Sequence, residues 1–299
     1  MNCVNTPAIK TVIRKALCED IGKGDITTRS IIPKNIKTEA VIIAKEKGII
    51  CGLNIAGMVF KSVDPGIKYL PLFKDGSKVE KNAILAEVSG RATSILSAER
   101  VALNFLGFLS GIASRTREFV IRVQGYPVKI LDTRKTIPGL RQLEKYAVKT
   151  AGGSNHRNGL YDMVLIKDNH LDILKHILGI KKNDMVSLVK KLRKRLPRGT
   201  KIEIEVSGMN EFEAVLSAHP DIIMLDNMAP KDIKRAVRKR DSSQKESRGL
   251  SIKLEASGNI NLKNIRSYAA CGVDFISLGT LTKDIQALDI SLEFNKKGN

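Results

Sequence analysis

The feature that most constrains this chain is a rhythm that sets in at residue 128. Short apolar runs at 128–131, 163–166, 201–206, 222–225, 252–256 and 275–278 alternate with segments of helical spacing such as 138–151 and 261–272. A strand with no polar face must be covered on both sides, and a parallel sheet wrapped in helices provides that cover. Six clear strands fall short of the eight in a full (β/α)8 barrel. The reading is therefore an incomplete α/β barrel, with a doubly wound sheet as the alternative.

Residues 1–96 follow a different pattern. Helical apolar spacing over 7–19 opens on Thr6-Pro7, and β-branched runs at 38–52 and 67–79 carry a turn at Lys74-Asp75-Gly76. Between them 53–63 fits a helix, and 24–33 reads as an ordered loop. A long helical pattern over 97–124, with Ser97 as its N-cap, leads into the next unit. The polar stretch 239–249 reads as a surface loop. Residues 289–299 fall outside the strand–helix rhythm and are expected to return to the first unit.

Composition narrows the setting. Hydrophobic residues make up 42% and charged residues 27%, as in globular proteins, while tryptophan is absent and aromatics are only 4%, so aliphatic side chains must fill the core. An excess of 51 Lys+Arg over 31 Asp+Glu, a net +20, attracts anions of any kind. The four cysteines, Cys3, Cys18, Cys51 and Cys271, form no CxxC and read as reduced thiols. The first residues lack a signal-peptide core, and no run approaches a membrane span, so a cytoplasmic protein is expected.

In an α/β barrel the reacting groups stand at the C-terminal ends of the strands. Here those ends carry Asp132-Thr133-Arg134-Lys135, Lys167-Asp168-Asn169-His170, Asp226-Asn227, Ser257-Gly258-Asn259 and Gly279-Thr280-Leu281, with Glu203 and Glu205 inside their strand. Arg134, Lys135, Arg157 and Lys167, with His156 as a donor or further cation, suit carboxylates and phosphates. Charge-assisted hydrogen bonds contribute about 1.5–3 kcal/mol each, so three or four can hold a polyanion. Glu205 and Asp226 suit Mg2+ or sugar hydroxyls, and the small residues ahead of helices suit a phosphate. These features predict a phosphorylated sugar and a small carboxylated partner as ligands. Plainer readings exist: Glu203 and Glu205 share a face and could be ion-pair partners, and Asp226 could be a helix cap. His170, His176 and His219 read as structural or surface residues. The cations of 190–201 and 231–240 read as solvated helix faces. A nucleic-acid binder would interleave basic residues with exposed aromatics, which this chain lacks.

The segments "LCEDIGKGDITT", "AERVALNFL", "LDTRKTIPGLR", "KYAVKTAGGSNHRNGLYDMVLIKDNH", "IEIEV", "IIMLDN", "EASGNI" and "GVDFISLGTLT" resemble, in order, the motifs of the quinolinate phosphoribosyltransferase family. The resemblance implies an N-terminal α/β sandwich domain over 1–112, with 285–299 packing back on it, and an incomplete seven-stranded α/β barrel over 113–284. It implies conversion of quinolinate and phosphoribosyl pyrophosphate to nicotinate mononucleotide, pyrophosphate and CO2, with Mg2+, in NAD biosynthesis. It implies a dimer or dimer-based assembly with a shared active site, and no nucleic-acid or membrane partner. A related phosphoribosyltransferase acting on another base or acid is the alternative.

By motif, Arg134, His156, Arg157 and Lys167 would hold the quinolinate carboxylates, joined by Arg100 from the partner subunit, with Thr133 also at the substrate. Lys135, Glu205 and Asp226 would be catalytic. Lys135 would lie towards the pyrophosphate, and Glu205 and Asp226 would contact the ribose and the metal, directly or through substrate or water. Ser257, Gly258 and Asn259 with Gly279, Thr280 and Leu281 would cradle the 5′-phosphate. Two departures stand out: Ala151-Gly152-Gly153 where the family has three glycines, and Asn259 where many members have glycine.

Overall fold

A computed structural model describes residues 7–178, 184–246 and 251–294. In chain order the elements are α1 (Pro7–Ile21), α2 (Ile26–Ile31), β1 (Lys37–Ala44), β2 (Gly48–Ile49), α3 (Leu53–Val63), β3 (Lys68–Pro71), β4 (Lys78–Val79), β5 (Ile84–Arg91) and α4 (Ala92–Arg122). There follow β6 (Lys129–Leu131), α5 (Arg141–Thr150), β7 (Val164–Ile166), α6 (Asp168–Leu178), α7 (Met185–Arg195), β8 (Ile202–Val206) and α8 (Met209–Leu216). The chain ends with β9 (Ile222–Asp226), α9 (Pro230–Glu246), β10 (Lys253–Ser257), α10 (Ile265–Ala269), β11 (Phe275–Ser277), α11 (Thr280–Lys283) and β12 (Ile290–Phe294). They group into two compact units. The first contains 7–117, 135–153 and 280–294, and the second contains 118–134 and the described part of 154–279.

The first unit is built on an antiparallel sheet in the order β12-β1-β5-β3. Ala40, Ile42 and Ala44 alternate to the buried face of β1, the period a half-buried strand requires. Ile9, Ile13 and Leu17, four residues apart, give α1 one buried stripe against α3, which also packs on β3. β12 pairs with β1 from Ala44↔Ile290 to Ala40↔Phe294. The segment before β12 crosses α4 where Gly107 and Gly111 leave room. An added Cβ would stand 2.8 Å from Leu288 O at Gly107 and 2.2 Å from Gln286 O at Gly111.

The second unit is a parallel sheet in the order β6-β11-β10-β9-β8-β7. Ser154 adds a seventh stave, pairing in parallel with Leu131 on the outer side of β6. The sheet must curl. His156, two residues beyond Ser154, reaches within 3.0 Å of Glu203 on β8, although five strand spacings separate them in sheet order, about 24 Å if flat. Six strands and the Ser154 bridge together form the incomplete barrel, with the seven staves that the family resemblance implies.

Several local expectations need correction. Residues 26–31 are helical because Asp25 caps them, its carboxylate accepting from Thr28 N–H at 2.9 Å. Helix α4 starts at Ala92, directly after β5. Ser97 lies inside it and donates to Thr93 O, as hydroxyls within helices do. Helix α5 begins at Arg141, with Pro138 three residues upstream in a turn. The polar stretch at 239–246 continues α9, whose apolar positions Ile233, Ala236 and Val237 bury one face, while 247–249 lie outside the described residues. Helix α4 is long and apolar enough to cross a membrane by length and composition, contrary to expectation. However, 67% of that stretch is buried inside the protein, the mark of a core helix.

Candidate active site

Strand register places the chemistry of the second unit on one face of its sheet. Glu205 pairs with Met224, Met224 with Glu255, Asp226 with Ser257, and Leu165 with Glu203. Paired residues of parallel strands point the same way, and steps of two keep the face. Glu203, Glu205, Asp226, Glu255 and Ser257 therefore line one surface.

Two guanidinium groups converge on this region. Arg134 follows β6, Arg157 follows the Ser154 stave, and the charge of Arg134 acts on Arg157. Burial first, and then that neighbouring charge, lower the pKa of Arg157, so the pair is poised for an anion. The Arg157 Nη1 donates to Met163 O at 3.2 Å, which fixes the side chain. Lys167, at the end of β7, pairs through Nζ with Glu205 Oε2, and its main-chain N–H donates to His170 Nδ1 at 3.0 Å. His170, His176 and His219 are exposed. Thr133 is half-buried beside Arg134 in sequence.

His156 takes a more internal place than its motif suggests. Its Nδ1 accepts the Arg157 main-chain N–H at 2.8 Å, an arrangement that leaves the ring proton to Nε2. Nε2 lies 3.0 Å from Glu203 Oε2 and 3.6 Å from Glu255 Oε2. Of the two roles expected of His156, donor or further cation, this geometry favours the donor. Its own N–H donates to the buried carboxylate of Asp132 at 2.8 Å.

Glu203 and Glu255 are both 0% exposed. Burial pushes each carboxyl up to about 8. The nearby Arg157 and Lys167 offset part of this for Glu203, whereas the Glu203 charge adds to it for Glu255. Neither carboxyl receives a well-directed hydrogen bond among the described residues. The sequence offers Glu203, with Glu205, as a possible ion-pair partner and places Asp132 at a strand end without a role, while Glu255 is not singled out. The available signal was an acid in the middle of an apolar strand, since charges are rarely buried without a purpose.

Two clusters of potential metal ligands line this surface. Glu205 and Asp226 are half-buried on neighbouring strands, and the Lys167 contact uses one Glu205 oxygen. Two partly open carboxylates suit an ion that keeps waters and substrate oxygens. His156, Glu203 and Glu255 also bring donor atoms within 4.8 Å of one another. Two of the three are wholly buried and the third offers an imidazole nitrogen, a donor set poorly suited to Mg2+, which prefers oxygen ligands and keeps several waters.

At the ends of β9 and β10 the main chain is tightly knotted. Asn227 N–H donates to Ser257 O at 2.9 Å, and Asn259 Nδ2 donates to Asn227 Oδ1 at 3.0 Å. Gly258 has φ +87, and a Cβ there would lie 2.2 Å from Asn227 Oδ1. Asn259, where many family members have glycine, adopts φ 50, a left-handed conformation that asparagine tolerates. Ala151, the other departure, is the C-cap of α5 with φ −84 and needs no glycine.

Five of the motif residues belong to the first unit. Arg100 is exposed on α4. Lys135 is exposed, and its carbonyl accepts from Thr282 Oγ1 at 2.7 Å, tying it to α11. Thr280 opens that helix, while the Leu281 side chain is wholly buried and offers a ligand only its main chain. Arg141 donates through Nε to Thr136 Oγ1 at 3.0 Å and so braces the turn before α5.

Comparison with known proteins agrees with this layout. Residues 25–110 match the profile of the quinolinate phosphoribosyl transferase N-terminal domain, and 112–293 match the C-terminal domain. A probable nicotinate-nucleotide pyrophosphorylase (carboxylating) of Bacillus subtilis is 39% identical over 97% of this chain and 94% of its own. A protein of the same description from Methanocaldococcus jannaschii is 41% identical over 94% of this chain and 95% of its own. Among solved structures, the nicotinate-nucleotide pyrophosphorylase of Francisella tularensis superposes with a TM-score of 0.85 at 39% identity, covering 96% of each chain.

Proposed function

Because this chain belongs to the quinolinate phosphoribosyltransferase family, we propose that it joins quinolinate to the phosphoribosyl group of phosphoribosyl pyrophosphate. The products are nicotinate mononucleotide, pyrophosphate and CO2, a step of NAD biosynthesis. The observation that carries this reading is the convergence of Arg134 and Arg157 on the face that also holds Glu205 and Asp226. Carboxylate-binding cations and sugar-binding carboxylates thus share one strand-end region.

The chemistry follows from those charges. The bond from the anomeric carbon to pyrophosphate breaks, leaving positive charge that Glu205 and Asp226 favour. The quinolinate nitrogen bonds to that carbon. The resulting pyridinium ring accepts the electron pair of the C2–carboxyl bond, CO2 departs, and C2 takes up a proton. Arg134, Arg157 and Lys167 hold the acid's carboxylates, with His156 beneath them and Thr133 beside them. Lys135 offsets charge on the departing pyrophosphate, and the turns at Ser257–Asn259 and Gly279–Leu281 take the 5′-phosphate. A Mg2+ ion held near Glu205 and Asp226 would neutralise pyrophosphate charge.

The working form on this reading is a cytoplasmic dimer or dimer-based assembly in which Arg100 serves the partner's site. Purified protein mixed with quinolinate, phosphoribosyl pyrophosphate and Mg2+ should form nicotinate mononucleotide and CO2. No product, or equal turnover of nicotinic acid, rejects the assignment. An Arg100→Ala chain mixed with an Arg134→Ala chain should regain activity through hybrid dimers, and dead but well-folded hybrids reject sharing.

A further inference from the structure

We propose that Glu203 and Glu255 are positioning residues for the acid-substrate site. From β8 and β10 they meet the Nε2 edge of His156 and, through that ring, hold Arg157 in place beside Arg134. The inference rests on the family reading above, because it concerns how the same site holds its acid substrate.

Packing does not account for these two acids. On the same face of the sheet their neighbours on β9, Ile222 and Met224, are apolar and buried. An apolar side chain would serve the core at lower cost, since burying a carboxylate costs several kcal/mol. Both carboxyls instead approach one atom, His156 Nε2, at 3.0 and 3.6 Å. The opposite edge of the ring accepts the Arg157 N–H at 2.8 Å. The His156 main chain is held separately by Asp132, two residues before Arg134. The ring thus joins an acidic floor to the main chain of one guanidinium-bearing segment, and Asp132 joins it to the other. Removing the floor frees the ring to flip or change tautomer, and Arg157 loses the acceptor for its N–H.

The test uses the full chain with Glu203→Leu, Glu255→Leu and the matching Gln variants. Nitrogen NMR of histidine-labelled protein, with His156→Asn to assign the ring, should show wild-type His156 neutral at pH 7.5 with its proton on Nε2. The Leu variants should lose that single state. They should raise the KM for quinolinate roughly ten- to a hundredfold and leave that for phosphoribosyl pyrophosphate within about threefold, while the Gln variants recover most of the loss. A ring that is charged or carries its proton on Nδ1 in wild-type protein overturns the proposal, even if the Leu variants do not fold. So does a quinolinate KM that stays put or moves together with the other. Wild-type protein that turns over no quinolinate removes the family reading instead, and the ring spectrum still tests the clamp.

Discussion

Replacing Glu255 by Gln isolates the cost of the buried acid. Burial and the Glu203 charge raise the Glu255 carboxyl from 4.5 to about 8. The folded state therefore binds a proton that the unfolded state releases anywhere between those values. Stability is highest below the unfolded value of 4.5 and is lost as pH rises through the folded value. At 1.36 kcal/mol for each tenfold change, the full span amounts to about 5 kcal/mol. Glutamine keeps the shape of the acid without its ionisation. Urea unfolding of both proteins at pH 5.5, 7 and 8.5 should give a wild-type midpoint that falls steadily towards alkaline pH. The variant's curve should be flatter by several kcal/mol and cross above it. Acids with lowered pKa affect both proteins equally and cancel in the difference. Parallel curves would refute the reasoning, since they mean that Glu255 ionises in the folded state as freely as in the unfolded one.

Other changes test the scaffold. Asp64, held low by Arg91 and by the Gly66 N–H, also receives the Ser94 hydroxyl. Asp64→Asn should cost about 1–2 kcal/mol at pH 7, most of it from lost hydrogen bonds because Arg91 is largely exposed. That gap should close only in strongly acid solution, where the wild-type group protonates too, as thermal melts across pH will show. Gly111→Val would press on the backbone at Gln286. It should lower the melting temperature and expose the amides of β12 to hydrogen exchange, with a cost of about 2 kcal/mol or more. Gly258→Ala combines a left-handed backbone with a 2.2 Å contact to Asn227. It should weaken phosphoribosyl pyrophosphate binding with little change in quinolinate binding, measured by calorimetry on each substrate.

Much of the site was legible because its residues announce themselves locally. Arg134 and Lys167 stand just past apolar strands, where a cation has no packing role, and that placement pointed to an anion, whereas Arg157 was legible only through its motif. The elements that were misread failed for an equally local reason. Helix α2 depends on a single cap at Asp25, and α9 continues through a polar stretch because only its inner face is apolar. Neither pattern stands out from a loop along the chain.

By itself the sequence determined the parallel α/β architecture, since apolar strands alternating with helices have few ways to bury both strand faces. It also determined the cationic strand ends. Only the tertiary structure decided what lies beneath them. Glu255 in its strand looks like any isolated acid, and His156 like one more cation in a basic motif. Curling of the sheet brings the Ser154 stave to β8 and sets an imidazole against two buried carboxyls at one edge and the Arg157 main chain at the other. The charge on such groups is set by neighbours far away in sequence, and only the folded chain supplies those distances.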